Sequence, residues 1–228
     1  MSAAGSAKCG GRRRCRDVSA FGNLEFVRDE EFMQTLQTRN DTAQQILDNA
    51  ERLVQTRGYN SFSYADIAKT LKISKASLHY HFRSKADLGL RLIERYERNF
   101  LDALSAIDKS GLEDDARLIR YVNIYSSVLS ENRMCLCGML ASEYETLPAS
   151  MQAALKHFFD ENEKWLGMLL QSGRSRKIFD FEGDAGEVAQ LLISSLEGAM
   201  MIARSYGAPE RFDSIARRLV ADLGISPK

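Results

Sequence analysis

The sequence has few residues that interrupt helices. Of its 228 residues only 3 are proline and 15 are glycine. Proline breaks a helix and glycine weakens one, so their scarcity favours long helices. Apolar residues recur through these uninterrupted segments at the three- and four-residue spacing of an amphipathic helix. We therefore expect an all-α protein.

Long apolar runs and an excess of one charge are also missing. No apolar stretch approaches the roughly 20 residues that span a membrane, and no apolar run follows the basic N-terminal residues as in a secretory signal. A cytoplasmic protein with no membrane partner is expected. Basic and acidic residues number 31 each, which excludes a protein that coats nucleic acid with its whole surface. Any DNA binding must be confined to a patch.

Cysteine is scarce, and its spacing is unlike that of metal sites. The four cysteines form two pairs, Cys9 with Cys15 and Cys135 with Cys137. Neither pair has the usual zinc-ligand spacing, so no metal or cofactor is expected, and a zinc site built from both pairs is a remote alternative. The sequence contains no P-loop, GxGxxG or HExxH motif. An enzyme is therefore not expected; an enzyme and a helical adaptor that binds no DNA stay as remote alternatives.

Residues 63–85, SYADIAKTLKISKASLHYHFRSK, have the pattern of a helix-turn-helix. Ser63, Ser74 and Ser84 are placed to cap three short, closely spaced helices. The segment carries five basic residues and one acidic residue, a local positive charge that suits a phosphate backbone. The second helix of such a unit enters the major groove of DNA. The alternative is a solvated face on a small helical bundle.

Residues 46–96 resemble the DNA-binding domain of the TetR family of transcriptional regulators. The matching features are RGY at the end of an amphipathic helix, then DIAKTLKIS, SLHYHF and the SK that opens the next helix. The family usually has Gly where Lys72 stands, which predicts a strained or altered turn. It often has Tyr where His79 stands, which predicts a weaker or pH-sensitive phosphate contact. The resemblance implies DNA contacts by Tyr64, Lys75, Ala76, Ser77, His79, Tyr80, His81 and Lys85, with Tyr64 and Lys85 on phosphates.

The resemblance also implies a domain organisation. Residues 39–87 would form the DNA-binding head, with a first helix capped by Asp41. Residues 88–228 would form a larger helical domain for effector binding and dimerisation, joined to the head by a long helix from Lys85 to about Ile107. Residues 1–38 are small, Gly-rich and basic and are expected to be disordered. Their arginines would form either a DNA-binding arm or a solvated tail.

The middle of the chain, residues 113–173, is rich in Met and aromatic residues. Such residues fill irregular cores and also line adaptable pockets. The residues alone favour a core, whereas the resemblance implies that some of them line a pocket for a small effector. The candidates are Tyr96, Phe100, Tyr121, Tyr125, Met139, Phe158 and Trp165.

The last two predicted helices, residues 184–206 and 209–223, carry apolar stripes. In the family such helices pair with their twins in a four-helix bundle. The resemblance therefore implies a homodimer, with an interface that includes Leu191, Ser195, Ala199, Ile215 and Leu219. The function it implies is a repressor that binds a pseudo-palindromic double-stranded operator and is released by a small effector.

Cys135 and Cys137 suggest an alternative signal. They open a short predicted helix after Arg133, and both a helix N-terminus and a nearby cation lower the pKa of a thiol. The motif RMCLCGML also resembles, more weakly, the corresponding region of a thiol-sensing member of the same family. The alternative is therefore a repressor that senses oxidants or electrophiles. Buried, inert cysteines are the other interpretation.

Overall fold

A computed structural model describes residues 42–225 of the chain. This part contains nine α-helices, one short 3-10 helix and no strand, so the prediction of an all-α protein is confirmed. No helix in it is both long and apolar enough to cross a bilayer. The predictions for residues 1–38, for Cys9 and Cys15, and for the cap at Asp41 lie outside the described residues.

The first three helices and the start of the fourth form a small head. They are α1 (Thr42–Arg57), α2 (Tyr64–Leu71), α3 (Lys75–His81) and α4 (Lys85–Asp108). Each contributes apolar side chains that are completely removed from solvent, namely Ile46, Val54, Ile67, Leu78 and Leu88. This shared core fixes α2 and α3 relative to α1 although both helices are short.

The long helix α4 joins the head to the rest of the protein. Near its middle, the buried guanidinium of Arg95 donates to Asp48 at 2.5 Å and to Glu51 at 2.6 Å, both on α1. A paired, two-pronged contact of this kind fixes direction as well as distance. The orientation of α1 is therefore tied to the axis of α4.

The remaining helices form a larger body. They are α5 (Asp114–Ser130), α6 (Leu136–Ser142), the 3-10 helix (Tyr144–Thr146), α7 (Ala149–Ser175), α8 (Ala185–Tyr206) and α9 (Glu210–Asp222). Helix α7 packs along α4 and α8, and α9 packs on α8 and α5. Helix α6 is short and packs against α1 of the head as well as α4 and α7.

Most helix boundaries agree with the sequence pattern to within one or two residues. The clearest difference lies after Arg133, where the sequence predicts one short helix that opens with Cys135 and Cys137. In the structure α6 ends at Ser142 and a separate 3-10 turn follows. This break turns the side chain of Glu143 toward the head, where it has a specific role described below.

Candidate nucleic-acid interface and interior ligand site

The recognition helix α3 is held rigidly at its start and on its inner face. The side chain of Ser74 accepts a hydrogen bond of 3.1 Å from the backbone N–H of Ser77, as a helix cap does. Leu78 is completely buried and anchors the helix. The turn before it passes through Lys72, which adopts a left-handed conformation with φ 55°. The turn thus keeps the left-handed shape that glycine favours, and Lys72 bears the strain.

The outer face of α3 presents several of the predicted DNA contacts to solvent. Tyr80 is 85 % exposed. Lys75, Ala76 and His79 are exposed too, while Ser77 and His81 are half-buried. Exposed polar and aromatic side chains on a firmly supported helix can approach base edges without unfolding the head.

Tyr64 and Lys85, the two predicted phosphate contacts, are both engaged inside the head. The hydroxyl of Tyr64 donates to the carbonyl of Phe82 at 3.0 Å. Burial and then the charge of Asp87 raise the pKa of Tyr64 to about 12, so it stays a hydrogen-bond donor. Tyr64 also packs on His79, with ring centroids 4.9 Å apart.

Lys85 differs from the expectation more strongly. Its ammonium donates a 2.6 Å hydrogen bond to the carbonyl of Phe62. It also lies 4.5 Å from the ring centroids of both Tyr59 and Phe62. The ammonium of Lys85 is therefore not free to bind a phosphate in this structure, because two aromatic rings and a carbonyl hold its charge inside the head.

Six of the seven predicted pocket residues form one continuous aromatic cluster between α4, α5 and α7. They are Tyr96, Phe100, Tyr121, Tyr125, Phe158 and Trp165. Neighbouring ring centroids lie 5.1–6.5 Å apart along the cluster. Met139 is half-buried on α6. The described residues also include an open groove of about 620 Å³ between α7 and the start of α8, but none of the seven lines it.

Polar groups inside the aromatic cluster satisfy one another. The hydroxyl of Tyr121 donates to the side-chain oxygen of Asn162 at 2.9 Å and lies 3.0 Å from the hydroxyl of Tyr125. The amide nitrogen of Asn162 donates to Tyr125 at 3.1 Å. The Trp165 N–H donates to Asp108 at 3.0 Å. Such hydrogen bonds fix the orientations of the aromatic rings. Asn162, which takes part in two of them, was not among the site residues predicted from the sequence.

The two cysteines are buried, and the expectation of lowered thiol pKa values is wrong. Burial, and next the charge of Glu197, raise the pKa of Cys135 well above its usual range. Burial likewise raises the pKa of Cys137, followed by the charge of Cys135. Arg133, the expected activating cation, instead bonds to Glu131 and Gln55. The geometry supports the buried, inert role that the sequence also allowed.

Glu197 is a second residue that the sequence-based prediction missed. It lies on α8 within the otherwise apolar and small run LLISSLEGAMM, and this lone acid was the available signal. Burial raises its pKa from 4.5 to about 7, although the neighbouring thiol of Cys135 partly opposes the shift. The hydroxyl of Tyr96 lies 3.7 Å from the sulfur of the same cysteine. The carboxyl group therefore sits at the α6 side of the aromatic cluster.

The body forms hydrogen bonds to the head at the end of α1. The carboxylate of Glu143 accepts hydrogen bonds from the backbone N–H of Tyr59 at 2.6 Å and of Asn60 at 3.3 Å. From α8, the guanidinium of Arg204 donates to the carbonyl of Gln55 at 2.9 Å and also to that of Thr56. Helices α6 and α8 thus contact the head directly, in addition to the link through α4.

An apolar stripe runs along the outer face of α8 and α9. Leu191 is 61 % exposed, Ile202 50 % and Ile215 38 %. Ala199 was predicted to lie at the dimer interface, and this prediction is corrected by the structure, in which Ala199 is 3 % exposed and packs inside the protomer. Successive four-residue steps rotate about 40° each around a helix, so the stripe from Leu191 continues through positions seven and eleven residues on. Those positions are Gly198 and Ile202.

An exposed recognition helix on a small head, joined to a larger helical body with an aromatic interior, defines a helix-turn-helix DNA-binding regulator. Residues 46–92 match the family described as bacterial regulatory proteins, tetR family. Residues 115–219 match the tetracyclin repressor-like C-terminal domain. The chain belongs to the TetR family of transcriptional regulators.

Individual relatives agree with this assignment. A TetR transcriptional regulator of known structure from Legionella pneumophila is 32 % identical, covers 82 % of this chain and 100 % of its own, and gives a TM-score of 0.75. The transcriptional regulator AcuR of Cereibacter sphaeroides is 26 % identical over 71 % of this chain and 75 % of its own length. The HTH-type transcriptional repressor NemR of Escherichia coli is 25 % identical over 81 % and 96 %, respectively.

Proposed function

We propose that this protein is a cytoplasmic repressor that binds a pseudo-palindromic operator as a homodimer and leaves it when a small effector binds in the body. The domain division follows the one given above, with residues 39–87 as the DNA-binding head and 88–228 as the effector-binding and dimerisation domain. The observation that carries the proposal is the outward face of α3, where Lys75 and Tyr80 are exposed while Leu78 is completely buried.

DNA contacts are proposed for Lys75, Ala76, Ser77, His79, Tyr80 and His81. A single head would bury only about 600–1,000 Å², which is small for tight binding. Two heads on one dimer double that area and match the symmetry of a palindrome. The exposed apolar residues of α8 and α9, Leu191, Ile202 and Ile215, support pairing of these helices with their twins, with the half-buried Ser195 and Gly198 on the same face.

Release by an effector requires a physical link between the body and the head. Such a link is supported by α6. Its N-cap residue Cys135 contacts Tyr96 of the aromatic cluster, and its C-cap residue Glu143 holds the backbone N–H of Tyr59. Arg204 at the end of α8 adds a second contact to the head. An effector that shifts α6 or α8 would change the head positions, and a coupling of about 1–3 kcal/mol changes operator affinity roughly 5–150-fold.

The direct test is fluorescence anisotropy with labelled DNA from upstream of the protein's own gene. We expect salt-dependent binding by the wild type, since phosphate contacts release counterions. Tyr80→Ala should lose about 1–3 kcal/mol on the preferred sequence and change the order of preference among base variants. Lys164→Ala, on an exposed surface of α7, is the matched control and should bind like the wild type. Failure of the wild type to bind any upstream fragment at low salt contradicts the proposal.

A further inference from the structure

The carboxylate of Glu197 is buried, with the thiol of Cys135 as a weak hydrogen-bonding neighbour. The residue is half-buried as a whole, yet both of its oxygens are withdrawn from solvent and neither has a hydrogen-bond partner of acceptable geometry among residues 42–225. Removing a carboxylate from water is costly unless a cation or several donors compensate it. Within the described chain the thiol of Cys135 compensates the Glu197 carboxylate only in part, because the pKa of this carboxyl group is still raised to about 7.

The surroundings of this carboxylate have a consistent chemistry. Gly138 of α6 leaves room for it, because a Cβ added there would lie 2.2 Å from the nearer Glu197 oxygen. Burial is the main reason why the pKa values of Tyr96 on α4 and Tyr125 on α5 are raised, and the charge of Glu197 adds to both shifts, so both phenols lie within its electrostatic reach. The site is thus one negative group beside the aromatic cluster, and aromatic faces attract cations.

We propose that Glu197 and the adjacent aromatic residues bind a small organic cation of the alkylammonium or arylammonium class. This inference rests on the proposed function, since it names the chemical class of the effector. An anion would be repelled by the ionised carboxylate, and a neutral ligand would leave the carboxyl group to be neutralised only by its own proton. A metal ion takes four or more ligands, and one carboxylate supplies too few. An organic cation supplies both the missing charge and an apolar body for the rings.

The test compares a cation with an uncharged molecule of the same shape. Phenyltrimethylammonium and its carbon isostere tert-butylbenzene are titrated by calorimetry into the full-length wild type and into Glu197→Gln. We expect the wild type to bind the cation at least tenfold more tightly than the isostere and the variant to lose that preference. Equal binding of both probes to the wild type, or an unchanged preference in Glu197→Gln, overturns the inference. So does the failure of this cation, tetramethylammonium and benzyltriethylammonium all to bind.

Two glycine variants test the location of the site. Gly138→Ala places a methyl group against the Glu197 carboxylate and should weaken cation binding at least tenfold. Gly167→Ala is the matched control, since its added Cβ makes only ordinary contacts of 3.7 Å or more. If both variants bind the cation as the wild type does, the site lies elsewhere and the inference fails.

The pH dependence gives an independent measurement. The quaternary probe does not titrate, and the pKa values of the facing phenols and thiols, Tyr96, Tyr121, Tyr125, Cys135 and Cys137, are all raised. With Glu197 at a pKa of about 7, its ionised fraction rises about tenfold from pH 6 to pH 8, and cation affinity should rise with it. In Glu197→Gln the affinity should stay flat; an equally steep rise there overturns the inference.

Operator binding is measured in parallel and separates the two proposals. If wild type and Glu197→Gln both bind operator DNA and the cation releases only the wild type, both proposals hold. If neither binds any upstream DNA, the proposed function fails, while the calorimetric comparison still decides whether the cation site exists. If both bind DNA and the cation binds neither, only the cation site is wrong.

Discussion

The ammonium of Lys85 lies 2.6 Å from the carbonyl oxygen of Phe62 and ties the start of α4 to the loop between α1 and α2. Burial lowers the pKa of this lysine, while the charges of Glu143 and Asp66 act in the opposite direction. Its position between two aromatic rings makes it part of the head's framework. The same residue in an outward conformation would be a phosphate contact, so the two roles have to be separated by experiment.

Replacing Lys85 by Met removes the charge and keeps most of the aliphatic stem. We expect Lys85→Met to lower the free energy of unfolding by about 1 kcal/mol, because a charge-assisted hydrogen bond is lost at a partly exposed site. Lys75→Met is the matched control: it is exposed on α3 and should leave stability within about 0.5 kcal/mol while weakening operator binding. Urea denaturation and DNA titration of the two variants decide whether Lys85 stabilises the head or contacts DNA. An unchanged stability of Lys85→Met would contradict the framework role.

The left-handed turn residue Lys72 offers a stabilising substitution. A side chain at φ 55° costs roughly 1–2 kcal/mol. Glycine avoids this strain but loses part of the gain, because its unfolded chain has more conformational freedom to give up on folding. Lys72→Gly should therefore raise the free energy of unfolding by about 0.5–1 kcal/mol. Lys72→Ala keeps a Cβ at the same φ and should give no such gain. Denaturation curves of the two variants, measured side by side, would refute this if glycine were no better than alanine.

The apolar stripe of α8 gives a test of assembly that spares the protomer core. Ile202 is 50 % exposed, so Ile202→Glu should fold normally yet give a monomer that loses operator affinity. Leu219→Glu is a poorer choice, because Leu219 is half-buried and packs against the core. Light scattering at micromolar concentration reports the mass. A wild type that is itself monomeric, or an Ile202→Glu variant that stays dimeric, would rule out this interface.

The shifted pKa of Glu197 predicts how stability changes with pH. The folded protein holds this proton up to about pH 7, whereas the unfolded chain releases it near pH 4.5. The contribution of Glu197 to stability therefore falls as the pH rises through this window and stays low above it. A shift of this size corresponds to about 3 kcal/mol.

Glu197→Gln removes the titrating group and supplies the reference. Relative to the wild type, the variant should gain about 2.5 kcal/mol of stability between pH 5 and pH 8. Urea denaturation of both proteins at the two pH values measures this difference. A difference that does not change with pH would mean that Glu197 titrates as an ordinary exposed carboxyl group.

Local sequence signals were sufficient to predict the head. The caps at Ser74 and Ser84, the apolar spacing and the basic charge all depend on residues close in sequence, and the structure agrees with them. The direction of the Lys85 ammonium was not predictable in the same way. It depends on the rings of Tyr59 and Phe62, which only the packed head brings together.

The body illustrates where sequence reasoning loses detail. A four-residue step places Ala199 on the same stripe as Leu191, but the small rotation per step accumulates and turns Ala199 into the protomer. The chain sequence shows a lone acid at Glu197 but not which groups face it. The raised thiol pKa of Cys135 follows first from burial and then from the charge of that acid, and both are consequences of long-range packing.

The aromatic cluster also makes the protein its own optical probe. Trp165 is the only tryptophan in the chain, and its indole stacks on Tyr121 with ring centroids 5.5 Å apart. Its N–H is bonded to Asp108, the last residue of the helix that joins the head to the body. Intrinsic tryptophan emission therefore originates from a single position beside the interior site, so a spectral change on adding a small molecule reports the surroundings of that one indole without any label.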